Sequence, residues 1–309
     1  MKICDINNVK NSEPIVLLPD IDYMIKDSVF YSFKNVFYLD YEPSEDDAKL
    51  LIDFINTHNN DLIVFDYSEF YRLILPYIKK SKKVNWVYKN NVATITDGWS
   101  RAEYTNVMEF YDRNIVDNIV CLDKSTYTVL KNSGYRVKLL KLDVNPKQKK
   151  AKKSKSIGLI GFDYNPNNNI YNELSAVKMV DYSYVKLLKS MPATKHFIEF
   201  FDIKDKEVNN ISEVIKDNDV NLYCNFTFTH FELVLKSMDM GIPCLLGNTD
   251  FFDGNLKLKK YLVLDSDDDI GEIADRINLI RENKETIMKE YKKFREKYIV
   301  DSAKSISKL

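Results

Sequence analysis

The chain is poor in the residues that punctuate and crosslink a polypeptide. Its 309 residues include eight glycines, eight prolines, four cysteines, three histidines and two tryptophans. Cys4, Cys121, Cys224 and Cys244 are scattered, with no CxxC pair and no Cys/His cluster, which argues against a zinc site. Cys121 in "NIVCLD" and Cys224 in "NLYCNF" read instead as buried, reduced thiols. No run approaches the ~18 apolar residues of a membrane span. The opening "MKICDINNVKNSEP" lacks an apolar signal region, so the chain reads as cytoplasmic. A net charge of -1 supplies no field that would steer it to nucleic acid. What the chain does have, 45% hydrophobic and 29% charged residues, is a globular composition, and its length suits two domains.

Short apolar runs alternate with helical patterns along the first half. "PIVLLP", "NVFYLDY", "DLIVFDY", "KVNWVY", "DNIVCLD" and "RVKLLKL" read as strands. They are continuously apolar rather than alternating, as expected of a parallel sheet covered on both faces. Between them, "SEDDAKLLIDFINTHN" places Ala48, Leu51, Ile52 and Ile55 on one helical face. Ser44 serves as its N-cap and acidic residues fill its first turn. "SRAEYTNVMEFYDR" and "KSTYTVLKNSGY" are further helices, the second stopped by Gly134.

"VNPKQKKAKKSK" then carries six lysines between Lys147 and Lys155 and marks a boundary. It reads as a solvated linker whose charge also suits phosphates or anionic headgroups at a membrane face. Residues 1–143, 144–155 and 156–309 are thus expected to form a first domain, a linker and a second domain with a helical tail. The alternation restarts with "SIGLIGFD" and runs through "NNIYNELSAVKMV", "SYVKLL", "ATKHFIEFF", "ISEVIKDN" and "VNLYCNF". "THFELVLKSMDM", "IPCLLG" and a last strand, "YLVLDS", follow, and from Asp268 the tail is helical. The fold class is therefore α/β, two Rossmann-like domains with parallel sheets facing a cleft.

One stretch, "KSMDMGIPCLLGNTDFF", spends scarce residues close together. Phe231, Val234, Leu235 and Met238 recur at core-facing spacing, Gly241 ends the helix, and Pro243 stops it resuming before a buried strand. Thr227 or Thr229 can cap the other end of that helix, where free N–H groups suit a phosphate. The order strand, capped helix, Met-x-x-Gly-x-Pro, strand, acidic loop and "IADRINLIRENKETI" resembles the donor-binding half of GT-B glycosyltransferases, most of all the family 4 type. The resemblance spans mainly Ser156 to Phe294; the first half matches only in architecture. It implies transfer of a sugar from a nucleotide-diphosphate donor to a glycan, lipid-linked or protein acceptor, without a bound metal or other cofactor. A role in bacterial surface-glycan or glycoprotein synthesis follows from the same likeness.

The family carries two glutamates eight positions apart before the glycine, and counting back from Gly241 those positions hold Phe228 and Lys236. Where the family often has Arg and Lys after the first strand of this half, "FDYNPNNN" offers asparagines. The donor-binding candidates are Gly161, at a strand end where a ligand approaches closely, Asn169, Thr227, Thr229, His230, Glu232 and Lys236. Glu232 and Lys236 also form an i,i+4 pair, which on an exposed face stabilises by about 0.2–0.5 kcal/mol. His230 is a catalytic candidate at the helix mouth, and Asp97 is a second, as a base for the acceptor hydroxyl. Trp99, Arg101 and Glu103 in "TITDGWSRAEYTN" are the acceptor-side candidates, the indole for stacking on a sugar. The substituted family positions support a rival reading, a non-catalytic GT-B-like subunit that binds acceptor or stabilises a partner transferase, or a homo-oligomer. A periplasmic-type two-domain binding protein is disfavoured because no signal peptide is read.

Overall fold

The computed structural model describes residues 13–19, 23–39, 44–92, 98–146, 154–161, 168–227 and 230–309. The chain divides into two compact units, Met1–Asn145 with Val300–Leu309, and Pro146–Ile299. The sequence reading left all of the tail in the second domain. The last ten residues group with the first unit because they bond to it. Ser305 Oγ accepts from Lys141 N at 3.0 Å, and the Leu309 carbonyl oxygen accepts from Lys138 Nζ at 2.9 Å.

In the first unit, β1 (Ile15–Pro19), β2 (Asn35–Leu39), β3 (Leu62–Phe65), β4 (Val84–Tyr88), β5 (Asn118–Cys121) and β6 (Val137–Leu139) form one parallel sheet. Its order is β2-β1-β3-β4-β5-β6. Helices α1 (Tyr23–Ser32), α2 (Glu45–Thr57), α3 (Phe70–Ile74), α4 (Gly98–Asp112) and α5 (Lys124–Asn132) connect the strands. The strands are buried end to end in β1, β3 and β4, as their unbroken apolar runs require. Trp86 is wedged between Tyr71, at 5.2 Å, and Phe110, at 5.7 Å between ring centres. Ser44 caps α2 as read: its hydroxyl accepts from Asp47 N at 3.1 Å and the Asp47 carboxylate accepts in turn from Ser44 N at 3.0 Å. Helix α1 was not read, since Tyr23–Ser32 shows little apolar periodicity.

In the second unit, β7 (Ile157–Leu159), β8 (Val185–Leu188), β9 (Asp205–Val208), β10 (Val220–Tyr223) and β11 (Cys244–Leu246) form a parallel sheet in the order β11-β10-β7-β8-β9. Its helices are α6 (Ile170–Val177), α7 (Pro192–Phe200), α8 (Ile211–Val214), α9 (Phe231–Asp239), α10 (Leu256–Leu262) and α11 (Ile270–Glu282). The last helix, α12 (Lys284–Ile306), begins in this unit and contributes its end to the first. The expected strand "YLVLDS" is corrected: Tyr261 and Leu262 finish α10, and only Val263 bridges to Leu246. Strand β9 escaped the reading because "DKEV" is a charged, half-exposed edge.

The tight return after α9 is built as its glycine and proline suggest. Gly241 takes φ +86°, its N–H donates to Met238 O at 2.9 Å, and Ile242 N donates to Ser237 O at 3.1 Å. A buried polar network holds this return to the sheet. Ser237 Oγ donates to Ile242 O at 2.8 Å and accepts from Asn221 Nδ2 at 2.8 Å, while Asn221 Oδ1 accepts from Asn218 Nδ2 at 2.6 Å. Gly158 in β7 makes room for it: a Cβ there would collide with both asparagines and sit 2.8 Å from Val214 O.

Candidate functional site

In an open parallel sheet the ligand crevice lies outside the C-terminal strand ends, where the strand order reverses. The second sheet reverses between β7 and β10, so the residues that follow those strands, Gly161 and Asn225, stand at that point. Three elements knit the strand ends there. Glu173, in the first turn of α6, is 1% exposed, and its Oε1 accepts from Cys224 N at 2.7 Å. Burial pushes its carboxyl up to about 7, against the pull of the Cys224 hydrogen bonds. Asn169 donates through Nδ2 to Asp267 O and accepts from Asn172 Nδ2 at 2.7 Å. The Asp267 carboxyl in turn accepts from Asn248 N, and its own burial raises its pKa. Gly247 sits inside this weave: a Cβ would come within 2.5 Å of Asn225 O and 2.7 Å of Asp267 Oδ1. Asn169 is therefore committed to internal bonds, and a Cβ at Gly161 would first meet the Asn168 side chain, at 3.3 Å.

The mouth of α9 differs from the expectation. Its N-cap is His230, not Thr227, and the His230 side chain makes no capping bond. His230 N donates to the Tyr223 hydroxyl at 3.2 Å, and His230 Nδ1 lies 3.1 Å from Glu232 Oε1. Glu232 is 1% exposed, so the surface pair with Lys236 is corrected. Helix α9 is buried on nearly every side, through Phe231, Leu233, Val234, Leu235, Ser237 and Met238, and the carboxyl turns back over the N-terminus to His230. Two buried acceptor atoms here have no hydrogen-bond partner among the described residues: Glu232 Oε2 and Asn225 Oδ1. Phe228 and Thr229 lie outside the described residues.

The first sheet reverses between β1 and β3, and Asp66 follows β3. It adopts φ +56°, is 2% exposed, and pairs with Lys89 Nζ at 3.1 Å. Glu103 is fully buried. It accepts from Lys89 N at 3.3 Å and from Asn90 Nδ2 at 2.6 Å. Burial first, then Asp66, holds its carboxyl well above the usual range. Glu103 is thus an internal brace for the end of β4 rather than the acceptor contact expected of it. Arg101 is exposed on α4. Trp99 also falls in α4, its side chain outside the described atoms, and Asp97 lies outside the described residues.

Glu173, Asn225, Asp66 and Lys89 were not singled out from sequence. A signal existed for Glu173, which shares the apolar stripe of Ile170, Leu174 and Val177, and for Glu103, which shares that of Val107 and Phe110. An acidic residue inside a core stripe is the informative exception. Among the described residues, no cluster of three or more His, Cys, Asp or Glu is placed to hold a metal, and no helix is long and apolar enough to cross a membrane.

Two parallel α/β units of this kind constitute the fold of GT-B glycosyltransferase structures. HepE of Anabaena, solved with UDP-glucose, matches with a TM-score of 0.70 at 10% identity, over 94% of this chain and 90% of that one. The lipopolysaccharide outer core galactosyltransferase WaaB, in its apo form, matches at 0.62 with 11% identity, over 96% and 100%. A mutant TarM of S. aureus, in complex with Fondaparinux, alpha-GlcNAc-glycerol and UDP, matches at 0.60 with 12% identity, over 85% and 57%. The chain spans little more than half the length of TarM. No family model and no curated protein sequence matches the chain.

Proposed function

We propose that the protein is a glycosyltransferase that moves a sugar from a nucleotide-diphosphate donor to a glycan, lipid-linked or protein acceptor. The observation that carries this reading is that two buried acceptors, Asn225 Oδ1 beyond β10 and Glu232 Oε2 in the first turn of α9, have no partner among the described residues of a GT-B fold. Structures of similar fold hold UDP or UDP-glucose. In this reading the second unit takes the donor. Gly161, without a side chain, lets the diphosphate approach backbone. His230, steadied through Nδ1 by Glu232, turns its other ring nitrogen to the leaving oxygen, and in the imidazolium form that nitrogen carries the N–H that meets the negative charge developing there. No metal takes part in this scheme. The setting is the cytoplasm, peripheral at the inner membrane face where the acceptor is lipid-linked, in bacterial surface-glycan or glycoprotein synthesis.

The substituted positions Phe228 and Lys236 favour a second reading, a non-catalytic subunit that binds acceptor or supports a partner transferase. Calorimetric titration with UDP and UDP-glucose, followed by an assay for UDP release, separates the two. Saturable binding with slow UDP release supports the enzyme. Binding without release, with or without acceptor sugars, supports the subunit. A folded protein that binds neither nucleotide overturns the donor-site reading.

A further inference from the structure

The second unit carries an aromatic surface that nothing in the chain covers. Tyr171 on α6, Phe197 and Phe200 on α7, and Phe201 just beyond it form a run of ring contacts, with centres 5.2 Å, 4.5 Å and 5.0 Å apart. Phe200 is 74% exposed, and Phe201 and Tyr171 are exposed with it. Contiguous aromatic surface left in water marks a place where something docks. Helix α7 carries the chain from the end of β8 back to the start of β9, so Phe200 and Phe201 lie at the N-terminal strand ends, away from the crevice. This surface is therefore no part of the donor site and does not depend on it.

We infer that a second copy of the chain covers it, the two α7 helices packing antiparallel about a two-fold axis near Phe197. The surrounding charges are balanced: Lys195, Lys204 and Lys206 stand exposed beside exposed Glu199, Asp202 and Asp205. The surface thus has no net sign to draw anionic lipid or nucleic acid. Its rings meet at 61°, 38° and 76°, and so share no flat face on which a sugar chain could stack. A protein face suits both features, and this one complements itself.

At about 100° per residue, the outward face of α7 is centred on His196, with Ala193 and Phe200 along one flank and Lys195 and Glu199 along the other. About a two-fold axis, each flank meets its own copy running the other way. With the axis at Phe197, Lys195 stands opposite Glu199 of the second copy, and the pair occurs twice. The same register lays Phe200 against Ala193 of the second copy, a ring over a methyl group. Lys195 also faces Glu207 within its own copy. At 3.7 Å, and with over half of its side chain exposed, its ammonium has room for a second carboxylate.

The test is sedimentation velocity over about a hundredfold range of concentration, with the urea midpoint of each variant as the check on folding. Wild type is expected to pass from monomer to dimer across that range, and Phe200→Asp, a change at an exposed position, to stay monomeric. The charge pair is tested in a Glu207→Gln background, which removes the internal ion pair and keeps an acceptor for Ser190 N. There Lys195→Glu and Glu199→Lys are each expected to weaken the dimer about tenfold, and the two together to restore it. A dimer that persists in Phe200→Asp lies on another surface and overturns the inference. A double variant no better than either single one overturns the antiparallel register, and the inference with it. A wild type that is monomeric throughout overturns it too. Flotation with phosphatidylglycerol vesicles, lost in Phe200→Asp, would then assign the surface to lipid.

Discussion

Glu103 in the first unit and Glu232 in the second invite direct comparison. Each is an acid buried at the crevice edge of a parallel sheet, near the start of a helix. Glu103 is met on both oxygens, by Lys89 N and Asn90 Nδ2. Glu232 is met on one, by His230, and has no partner on the other among the described residues. A buried acid with every bond made braces the backbone; one with a bond outstanding holds a position for something else. Completeness of partnership, more than burial or charge, separates the two roles.

The comparison can be broken most forcefully at Glu103. Glu103→Ala strands two donors in the interior and leaves a void, and is expected to destabilise by about 3–5 kcal/mol in urea unfolding. Glu103→Gln, which can still accept, should recover most of that loss. Glu173 sharpens it through pH. Its carboxyl stands at about 7 against an ordinary 4.5, so the folded chain keeps a proton that the unfolded chain releases. Below about pH 4.5 both states hold the proton and no penalty exists. As pH rises to about 7 the penalty grows to about 3 kcal/mol, and stability falls. Comparing wild type with Glu173→Gln at pH 4.5 and pH 8 should show this slope in the first and not in the second.

Gly158→Ala probes the polar network of the second unit alone. A Cβ 2.8 Å from Val214 O must displace backbone, at about 2 kcal/mol, visible as faster hydrogen exchange in β7 and β10. The smallest change in stability is expected at Glu232. Glu232→Met removes an acid with an unmet bond and should shift unfolding by less than about 1 kcal/mol in either direction. A large loss there would mean that Glu232 is a brace like Glu103.

The sheets were legible because their strands are unbroken apolar runs such as "PIVLLP", and the return after α9 because Gly241 and Pro243 are rare residues with narrow uses. "YLVLDS" misled because a helix end and a bridge residue together imitate a short apolar strand. Glu232 misled for a related reason. Its i,i+4 spacing to Lys236 describes a surface pair, and nothing local reveals that α9 is enclosed on nearly every side. The burial of Glu173 was signalled by its place in an apolar stripe, but its bond to Cys224 N, like the position of Asn225, depends on strands far apart in the chain meeting at one edge, which no local spacing encodes.

The division of the chain has a consequence for synthesis. Val300–Leu309 belongs to the first unit, with the whole of Pro146–Ile299 intervening. A nascent chain emerging from the ribosome therefore carries six strands of the first sheet long before the segment that completes their packing exists. The second unit is an insertion that must fold, or at least stay out of the way, while Lys138 and Lys141 wait for Leu309 and Ser305. Order of synthesis and order of completion run opposite to each other: the unit begun first is finished last.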